Sequence, residues 1–241
     1  MKVKVLHLYY DIMNLYGENG NIRMLCRRLE DQGLEVELHK KTITDNIYFM
    51  SYDVIYCGAG IESNRNACLK HLLQYRNEFK DAFNAGKVML FTGNSYEMLG
   101  SSLTDPEGNE FEGIGIFSFK AVEQRKNRYT GDVILNSELF SKPFVGFINK
   151  CSVLEGLENS LFTVEKVIGT IKDTKEGVYK NNLFGTQLTG PVLVKNPHFA
   201  EYFTKLILKN LKVSEYIEKE YPYELAGYDI TIAELGGNKN V

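Results

Sequence analysis

The chain has 241 residues, of which 44% are hydrophobic, so it is long and apolar enough to close one sizeable core. Lys and Arg total 28 against 31 Asp and Glu, and this near balance excludes the broad basic surface that nucleic acids or acidic membranes attract. The four cysteines lack CxxC spacing, and no apolar run approaches the roughly 20 residues that cross a bilayer. We therefore expect one cytoplasmic domain with reduced thiols, no nucleic-acid partner and no membrane insertion.

The N-terminal segment predicts a β-α-β unit. Lys2–Tyr9 is typical of a strand that leads into a loop rich in Asn and Gly, and apolar residues then recur at helical spacing from Ile22 to Leu29. Gly33 ends this helix, and Leu34–Leu38 alternates as a second strand. Two strands joined in this way are parallel, with a right-handed crossover.

The same pattern repeats further along the chain. Asp53–Cys57 predicts a buried strand, and one long helix follows that ends at Ala85-Gly86. Lys87–Thr92 is again an apolar strand, followed by the turn Gly93-Asn94-Ser95 and the helical segment Tyr96–Leu99. The apolar face of the long helix is carried by Cys68, Leu72, Tyr75, Phe79 and Phe83. These elements predict an α/β fold with a doubly wound, mostly parallel sheet, whose ligand crevice lies beyond the carboxyl ends of the strands.

The second half of the chain predicts an antiparallel extension of this sheet rather than a second domain. Short apolar runs at 131–135, 144–147 and 161–164 favour antiparallel strands, and no Pro/Ser-rich linker separates them from the first half. Phe184–Gly190 predicts a last strand and turn, and Phe199, Phe203 and Leu206 or Ile207 predict a final helix. We therefore divide the chain into a single domain of residues 1–211 and a helical or polar tail of residues 212–241, with a polar stretch from 236.

Three loops are predicted to meet at the carboxyl edge of the sheet: Tyr10–Gly20, Gly58–Asn66 and Gly93–Ser95. The third has the strand, sharp glycine turn and helix that form a nucleophile elbow. In such an elbow the apical side chain stands over a helix N-terminus, whose backbone N–H groups can hold an oxyanion. This edge is therefore the predicted site.

The order and spacing of several motifs resemble one family. From His7 to about Phe203, the chain resembles the cobyric-acid-synthase-like, or CobB/CobQ-like, branch of class I glutamine amidotransferases. The resemblance is closest to the amidotransferase subunit of lipid II isoglutaminyl synthase. It implies a flavodoxin-like fold and docking on a Mur-ligase-like synthetase that amidates a peptidoglycan precursor. The motifs are Leu8–Gly17 with Gly20-Asn21-Ile22, Gly58-Ala59-Gly60, Tyr96–Gly100, Gly146–Asn149, and Phe184–Pro191 with Lys195-Asn196-Pro197.

The resemblance also implies that the catalytic residues are replaced. Laid on Tyr96-Glu97, the nucleophilic cysteine of the family's Cys-Gly-Gly-Tyr-Gln elbow falls at Gly93, or at Asn94 if the turn is one residue shorter. The histidine base of the family's Leu-His-Gly-Pro loop falls at Thr189. None of these residues supplies a thiolate or a base that works near neutrality. We therefore expect an amidotransferase-like subunit without glutaminase activity.

Candidate binding residues also come from the resemblance. Arg128 matches an arginine that binds substrate glutamine, and Gly58-Ala59-Gly60 could approach a substrate closely. Simpler roles compete, because Arg128 lies beside Arg125 and Lys126 as a solvated charge would, and the glycines could merely reverse the chain. Asp11, Asn14 and Asn21 are at least as typical of caps and turns as of ligand contacts. No His, Asp, Glu or Cys cluster has the spacing of metal ligands, and we expect no cofactor.

Three alternative functions remain open. Ser95 could act as the nucleophile of a hydrolase or acyl transferase if His7 lay close by, although a helix N-cap role for Ser95 is favoured. Arg128 and the empty elbow could bind glutamine or another amino acid without cleaving it, as a sensor would. Flavodoxin-like electron transfer ranks last, because Tyr10–Gly20 lacks obvious phosphate-binding turns. Cys57, at the end of a strand, is more typical of an apolar filler than of a displaced nucleophile.

Overall fold

The computed structural model describes residues 1–236, and within these residues it contains two β-sheets and six α-helices. The strands are β1 Lys2–Leu8, β2 Glu35–Lys41, β3 Val54–Cys57, β4 Val88–Thr92, β5 Ser102–Thr104, β6 Glu110–Glu112, β7 Lys120–Glu123, β8 Tyr129–Ser137, β9 Phe140–Lys150, β10 Ser152–Glu155, β11 Ser160–Gly169, β12 Lys175–Lys180, β13 Leu183–Thr186 and β14 Leu188–Thr189. The helices are α1 Asn19–Asp31, α2 Glu62–Leu72, α3 Arg76–Asn84, α4 Val192–Lys195, α5 Pro197–Asn210 and α6 Pro222–Gly236. A 3₁₀ helix, Gly93–Leu99, follows β4 directly and is called the elbow helix.

The large sheet has a parallel half and an antiparallel half. Its strand order is β14-β9-β8-β11-β12-β13-β4-β3-β1-β2. The strands from β13 to β2 are mutually parallel, whereas β12, β11, β8, β9 and β14 continue the sheet in antiparallel fashion. The predicted α/β fold with an antiparallel extension is therefore confirmed.

Alternate residues of the central strands face two separate apolar cores. In β1, Val3 and Val5 belong to the core covered by α1 and α5, whereas Leu6 and Leu8 belong to the core covered by α2 and α3. Successive side chains of a strand point to opposite faces, so a parallel sheet with apolar residues on both faces needs helices on both sides. The sheet is accordingly doubly wound, and its polar site lies at the carboxyl edge.

The prediction of one long helix ending at Ala85-Gly86 is wrong. The segment forms α2 and α3, separated by a 3₁₀ turn at Leu73–Tyr75, and Tyr75 leaves the helical conformation with φ −110° and ψ 18°. The break lets both pieces pack on the same core, since Leu69 and Leu72 of α2 and Phe79 and Phe83 of α3 all belong to it.

Two further elements differ from the predictions. Strands β10, β7, β5 and β6 form a second, four-stranded sheet that the sequence pattern did not indicate. The predicted final helix corresponds to α5, but it is not the last one, because α6 follows it within the predicted tail. The polar stretch from 236 lies outside the described residues apart from Gly236, and the division at residue 211 stays a prediction. In the part of the chain that is described, every helix is too short or too polar to cross a membrane.

Candidate functional site

The apex of the elbow is a glycine in a left-handed conformation. Gly93 follows β4 directly with φ +58°. A Cβ atom built on Gly93 would lie 2.5 Å from the Cβ of Ala59 and 3.1 Å from Cγ2 of Thr189. The residues proposed for the lost nucleophile and the lost base are therefore neighbours, and the geometry favours Gly93 over Asn94 as the nucleophile position. The contact with Ala59 is too close for any side chain unless that loop moves.

Asn94 clasps the elbow to the loop after β3. Its Oδ1 accepts a hydrogen bond from the backbone N–H of Gly60 at 3.0 Å, and its Nδ2 donates to the carbonyl of Gly60 at 2.7 Å. The side chain thus satisfies both backbone groups of one residue. The N–H of Gly60, which faces the elbow, is already bonded and is not free to hold an oxyanion.

The other two polar residues of the predicted site are buried and engaged. The hydroxyl of Thr189 donates to the carbonyl of Phe147 at 3.0 Å. Ser95 is fully buried, and its hydroxyl lies 2.8 Å from the carbonyl of Thr92 and 3.0 Å from that of Cys57. Ser95 does not cap the elbow helix as predicted, because the N-cap position is Thr92 and the Ser95 hydroxyl faces carbonyls instead of helix N–H groups.

Within residues 1–236, none of the four histidines lines the cleft beside Gly93. His7 lies inside β1 with its ring 5.3 Å from the ring of Tyr56, and burial and the nearby Lys40 lower its pKa to about 4. Neither ring nitrogen of His7 has a hydrogen-bond partner in the described structure. These contacts give no support to a Ser95 nucleophile with His7 as its base. Burial also raises the pKa of Cys57 well above its usual value, so the thiol is unreactive filler.

The glycines of the loop after β3 are required by the chain itself. A Cβ on Gly58 would lie 2.6 Å from the carbonyl oxygen of Met13, and a Cβ on Gly60 would lie 2.4 Å from the sulfur of Met13. The N-terminal loop therefore packs directly on these glycines. Within that loop, Asn14 accepts a hydrogen bond at 3.0 Å from the backbone N–H of Asn19, the first residue of α1, although the N-cap position itself is Glu18.

Arg128 lies at the mouth of the cleft, but its guanidinium is already paired. Nη1 contacts Oε1 of Glu62 at 3.0 Å, and Nε donates to Oδ1 of Asn149 at 2.5 Å. Asn149 in turn donates to the hydroxyl of Tyr16 at 2.8 Å. Together with Asn94 and Thr189, these side chains leave a volume of about 10 Å³ for water-sized molecules. That is about the minimum for one water molecule, and far too small for an amino acid.

Comparison with known proteins identifies the family of this chain. The model of the CobB/CobQ-like glutamine amidotransferase domain matches residues 4–197. The chain belongs to this family. It is 32% identical over 202 residues to the subunit GatD of the glutamine-hydrolysing lipid II isoglutaminyl synthase from Staphylococcus aureus. The aligned residues cover 83% of this chain and 82% of the relative. The protein of the same name from Streptococcus pneumoniae is 26% identical over 216 residues, and the aligned residues cover 86% of this chain and 81% of that relative.

Solved structures show the same fold. A structure of PurLQS from Thermotoga maritima superposes with a TM-score of 0.53 at 15% sequence identity, covering 88% of this chain and 98% of that chain. Another structure, described as a glutamine amidotransferase, gives a TM-score of 0.55 at 14% identity, covering 84% and 98%. The large sheet of this CobB/CobQ-like chain is therefore that of the amidotransferase fold.

A buried charge cluster lies beneath the elbow helix of this family member. The guanidinium of Arg65, on α2, contacts the carboxylates of Glu97, on the elbow helix, and Glu123, at the end of β7. Glu97 also accepts hydrogen bonds from the hydroxyl of Ser152 and, at 2.8 Å, from Nε2 of Gln187. One cation faces two carboxylates here, and burial raises the pKa of Glu123. The cluster joins the elbow to both sheets and to α2.

A second buried carboxyl, that of Glu18, connects the chain beside Gly93 to the chain beside Thr189. Glu18 is fully buried and accepts hydrogen bonds from the hydroxyl of Thr92 at 2.6 Å and the backbone N–H of Gly190 at 3.1 Å. Thr92 precedes Gly93 and Gly190 follows Thr189, so Glu18 holds the two strand ends together. The hydroxyl of Tyr56 and the amide of Asn21 also contact this carboxyl. Burial raises the pKa of Glu18 to about 7, although these hydrogen bonds partly oppose the shift.

Several of these residues were not found from the sequence. Glu18 and Arg65 lie in polar stretches that resemble solvated surface, so no periodicity indicated their burial, and none indicated the pairing of Glu62 with Arg128. One usable signal existed at Glu97, which follows the matched Tyr96 and stands where the resembled family has Gln, because a buried charge there needs a partner. In the described part of the chain, no group of three or more His, Cys, Asp or Glu side chains is arranged to hold a metal ion.

Proposed function

We propose that this chain is a non-catalytic amidotransferase-like subunit that docks on a Mur-ligase-like synthetase and takes part in the amidation of a cell-wall precursor. One observation carries the proposal: Gly93, at the apex of an intact elbow, has no side chain and adjoins Thr189 in place of a base. The two GatD relatives, each a subunit of lipid II isoglutaminyl synthase, support the choice of partner and pathway.

The chemistry supports the loss of glutaminase activity. Hydrolysis of glutamine through a thioester requires a thiolate that attacks the amide and a base that carries the proton. Gly93 has no side chain and supplies neither a thiolate nor a base, and the hydroxyl of Thr189 already donates a hydrogen bond to the carbonyl of Phe147. The nearby Cys151 does not replace them, because burial and Glu62 raise the pKa of its thiol to about 12.

Co-expression with the Mur-ligase-like synthetase of the same organism tests the docking part. We expect the two chains to elute as one complex in size-exclusion chromatography with light scattering. The complex should amidate its substrate with ammonium as the nitrogen source and not with glutamine. Separate elution of the two folded chains would contradict the docking proposal.

A second candidate function, amino-acid binding without cleavage, is favoured by one observation. Arg128 and Glu62 carry opposite charges 3.0 Å apart at the cleft mouth, and such a pair matches the carboxylate and ammonium groups of an amino acid. Binding would require the pair to open and the cleft to widen. Calorimetric titration with glutamine tests this, and heat that disappears in Arg128→Ala would support the sensor.

A further inference from the structure

Helix α6 carries apolar residues on two opposite faces, and within residues 1–236 only one of these faces is covered. Tyr228, Ile232 and Leu235 pack on the sheet against Ile134 and Val145. On the opposite face, Tyr223 is 92% exposed and Ile230 is 64% exposed. Apolar residues on a helix normally face a core or a partner. The uncovered face, defined by Tyr223, Ala226, Gly227 and Ile230, is called the α6 outer face.

Gly227 lies in the middle of this face, and no contact within residues 1–236 requires a glycine at that position. Gly227 lies in the interior of α6, where glycine costs about 1 kcal/mol relative to alanine. A Cβ built on Gly227 meets no atom within 4 Å. No contact in the described chain therefore requires a glycine here, whereas close approach of another backbone would. Tyr223 and Ile230 lie one turn to each side and would flank such a contact.

The charges of α6 indicate the chemistry of the partner. Asp229 is exposed beside Ile230, and neither Lys nor Arg occurs between 222 and 236. Two copies of this helix would bring only carboxylates together, so self-association is disfavoured. A partner surface with an apolar seam bordered by Lys or Arg is complementary. Arg28, which contacts Glu224 at 2.9 Å, shows the same pairing inside the chain.

We propose that the α6 outer face is the surface by which this chain docks on its synthetase, against a helix or groove with an apolar seam and basic borders. The inference rests on the proposed function and assigns its partner surface. Helix α6 also lies beyond residues 4–197 matched by the family model, so the surface is additional to the family's domain. A helix of 15 residues is about 22 Å long and, taken alone, offers less than the roughly 800 Å² per partner of a standard interface. It is therefore one part of a larger contact.

The test measures the affinity of the full chain for the purified synthetase. Gly227→Leu is the main variant, because its side chain meets nothing within the chain and leucine favours the helix. Its unfolding free energy should stay equal or rise, while the affinity for the synthetase should fall roughly tenfold or more. Ile230→Lys should act in the same direction. Met50→Lys, which replaces a half-exposed apolar residue away from α6, is the matched control and should bind like the wild type.

A charge variant separates the two components of the contact. Asp229→Asn should weaken binding a few-fold at low salt and should reduce the dependence of the affinity on salt. If the wild type binds but Gly227→Leu and Ile230→Lys bind equally well, the α6 assignment is overturned and the proposed function survives. If the wild type does not bind the synthetase, both the α6 assignment and the proposed docking function are overturned. If the chain alone forms a dimer that Gly227→Leu abolishes, a second copy covers the face and the synthetase assignment is overturned.

Discussion

The apex of the elbow and the charge cluster beneath it differ in kind. At the apex, Gly93 has no side chain and Asn94 uses its amide to bind the backbone of Gly60. Beneath it, Arg65, Glu97 and Glu123 form a buried ionic cluster. The elbow therefore keeps its shape through the groups that support it, with a glycine at its apex. A partner that binds the fold would still recognise such a chain.

The largest effect is expected in the supporting cluster. Arg65→Met leaves two buried carboxylates without their cation, and removal of one partner of a buried pair costs about 3–5 kcal/mol. Urea unfolding measures this loss. Arg128→Met is the matched control, because its half-exposed pair with Glu62 should contribute about 1 kcal/mol or less. Equal losses in the two variants would show that the cluster does not support the elbow.

The next effect concerns Glu18, whose carboxyl accepts hydrogen bonds from Thr92, before Gly93, and from Gly190, after Thr189. The pKa of Glu18 is raised to about 7 in the folded protein from an ordinary value of 4.5, so the folded state binds its proton more tightly. Stability from this group is fully present below pH 4.5 and is lost as the pH rises to about 7, by up to about 3 kcal/mol.

Glu18→Gln isolates this contribution, since Glu176, whose pKa burial also raises to about 7, remains in both proteins. The unfolding free energy of the variant should increase relative to the wild type across this pH range. Urea unfolding at several pH values measures the difference. A difference that does not change with pH would refute the shift at Glu18.

A smaller effect is expected at the apex itself. Gly93→Ala places a side chain at φ +58° and within 2.5 Å of Ala59, so it combines backbone strain with a steric clash. We expect a loss of about 2–3 kcal/mol in the unfolding free energy. Gly108→Ala, at φ +89° with no atom within 4 Å of the added Cβ, should show the backbone cost alone. If Gly93→Ala and Gly108→Ala lower the unfolding free energy equally, Ala59 does not clash with a side chain at position 93.

The smallest effect is expected for the two hydrogen bonds between the side chain of Asn94 and the backbone of Gly60. Asn94→Ala leaves the N–H and carbonyl of Gly60 without these partners, which costs about 1–2 kcal/mol when water replaces them poorly. Hydrogen exchange should report faster exchange of the Gly60 amide. The amides at the N-terminal end of β1, on the opposite edge of the sheet from the elbow, are the internal control. An unchanged Gly60 amide would mean that these hydrogen bonds do not form in solution.

The sequence predicted the parallel core because β3 and β4 are continuous apolar runs that end in glycine turns, and because the strands β1 and β2 flank a segment with helical spacing. The positions of Gly93 and Thr189 were predicted from motifs, and the structure brings these two residues together. The charged contacts escaped prediction because their partners are far apart in sequence and charged residues usually lie at the surface. The small second sheet escaped because its strands have only three or four residues, and those of β6 are all exposed. The break between α2 and α3 leaves the spacing of apolar residues almost unchanged.

The most direct test of the central claim is glutamine hydrolysis by the purified chain, measured alone and with the synthetase. With no thiolate at Gly93 and no base at Thr189, ammonia release should equal the buffer background in both cases. Release above background that is abolished by Asn94→Ala or Thr189→Ala would contradict the claim.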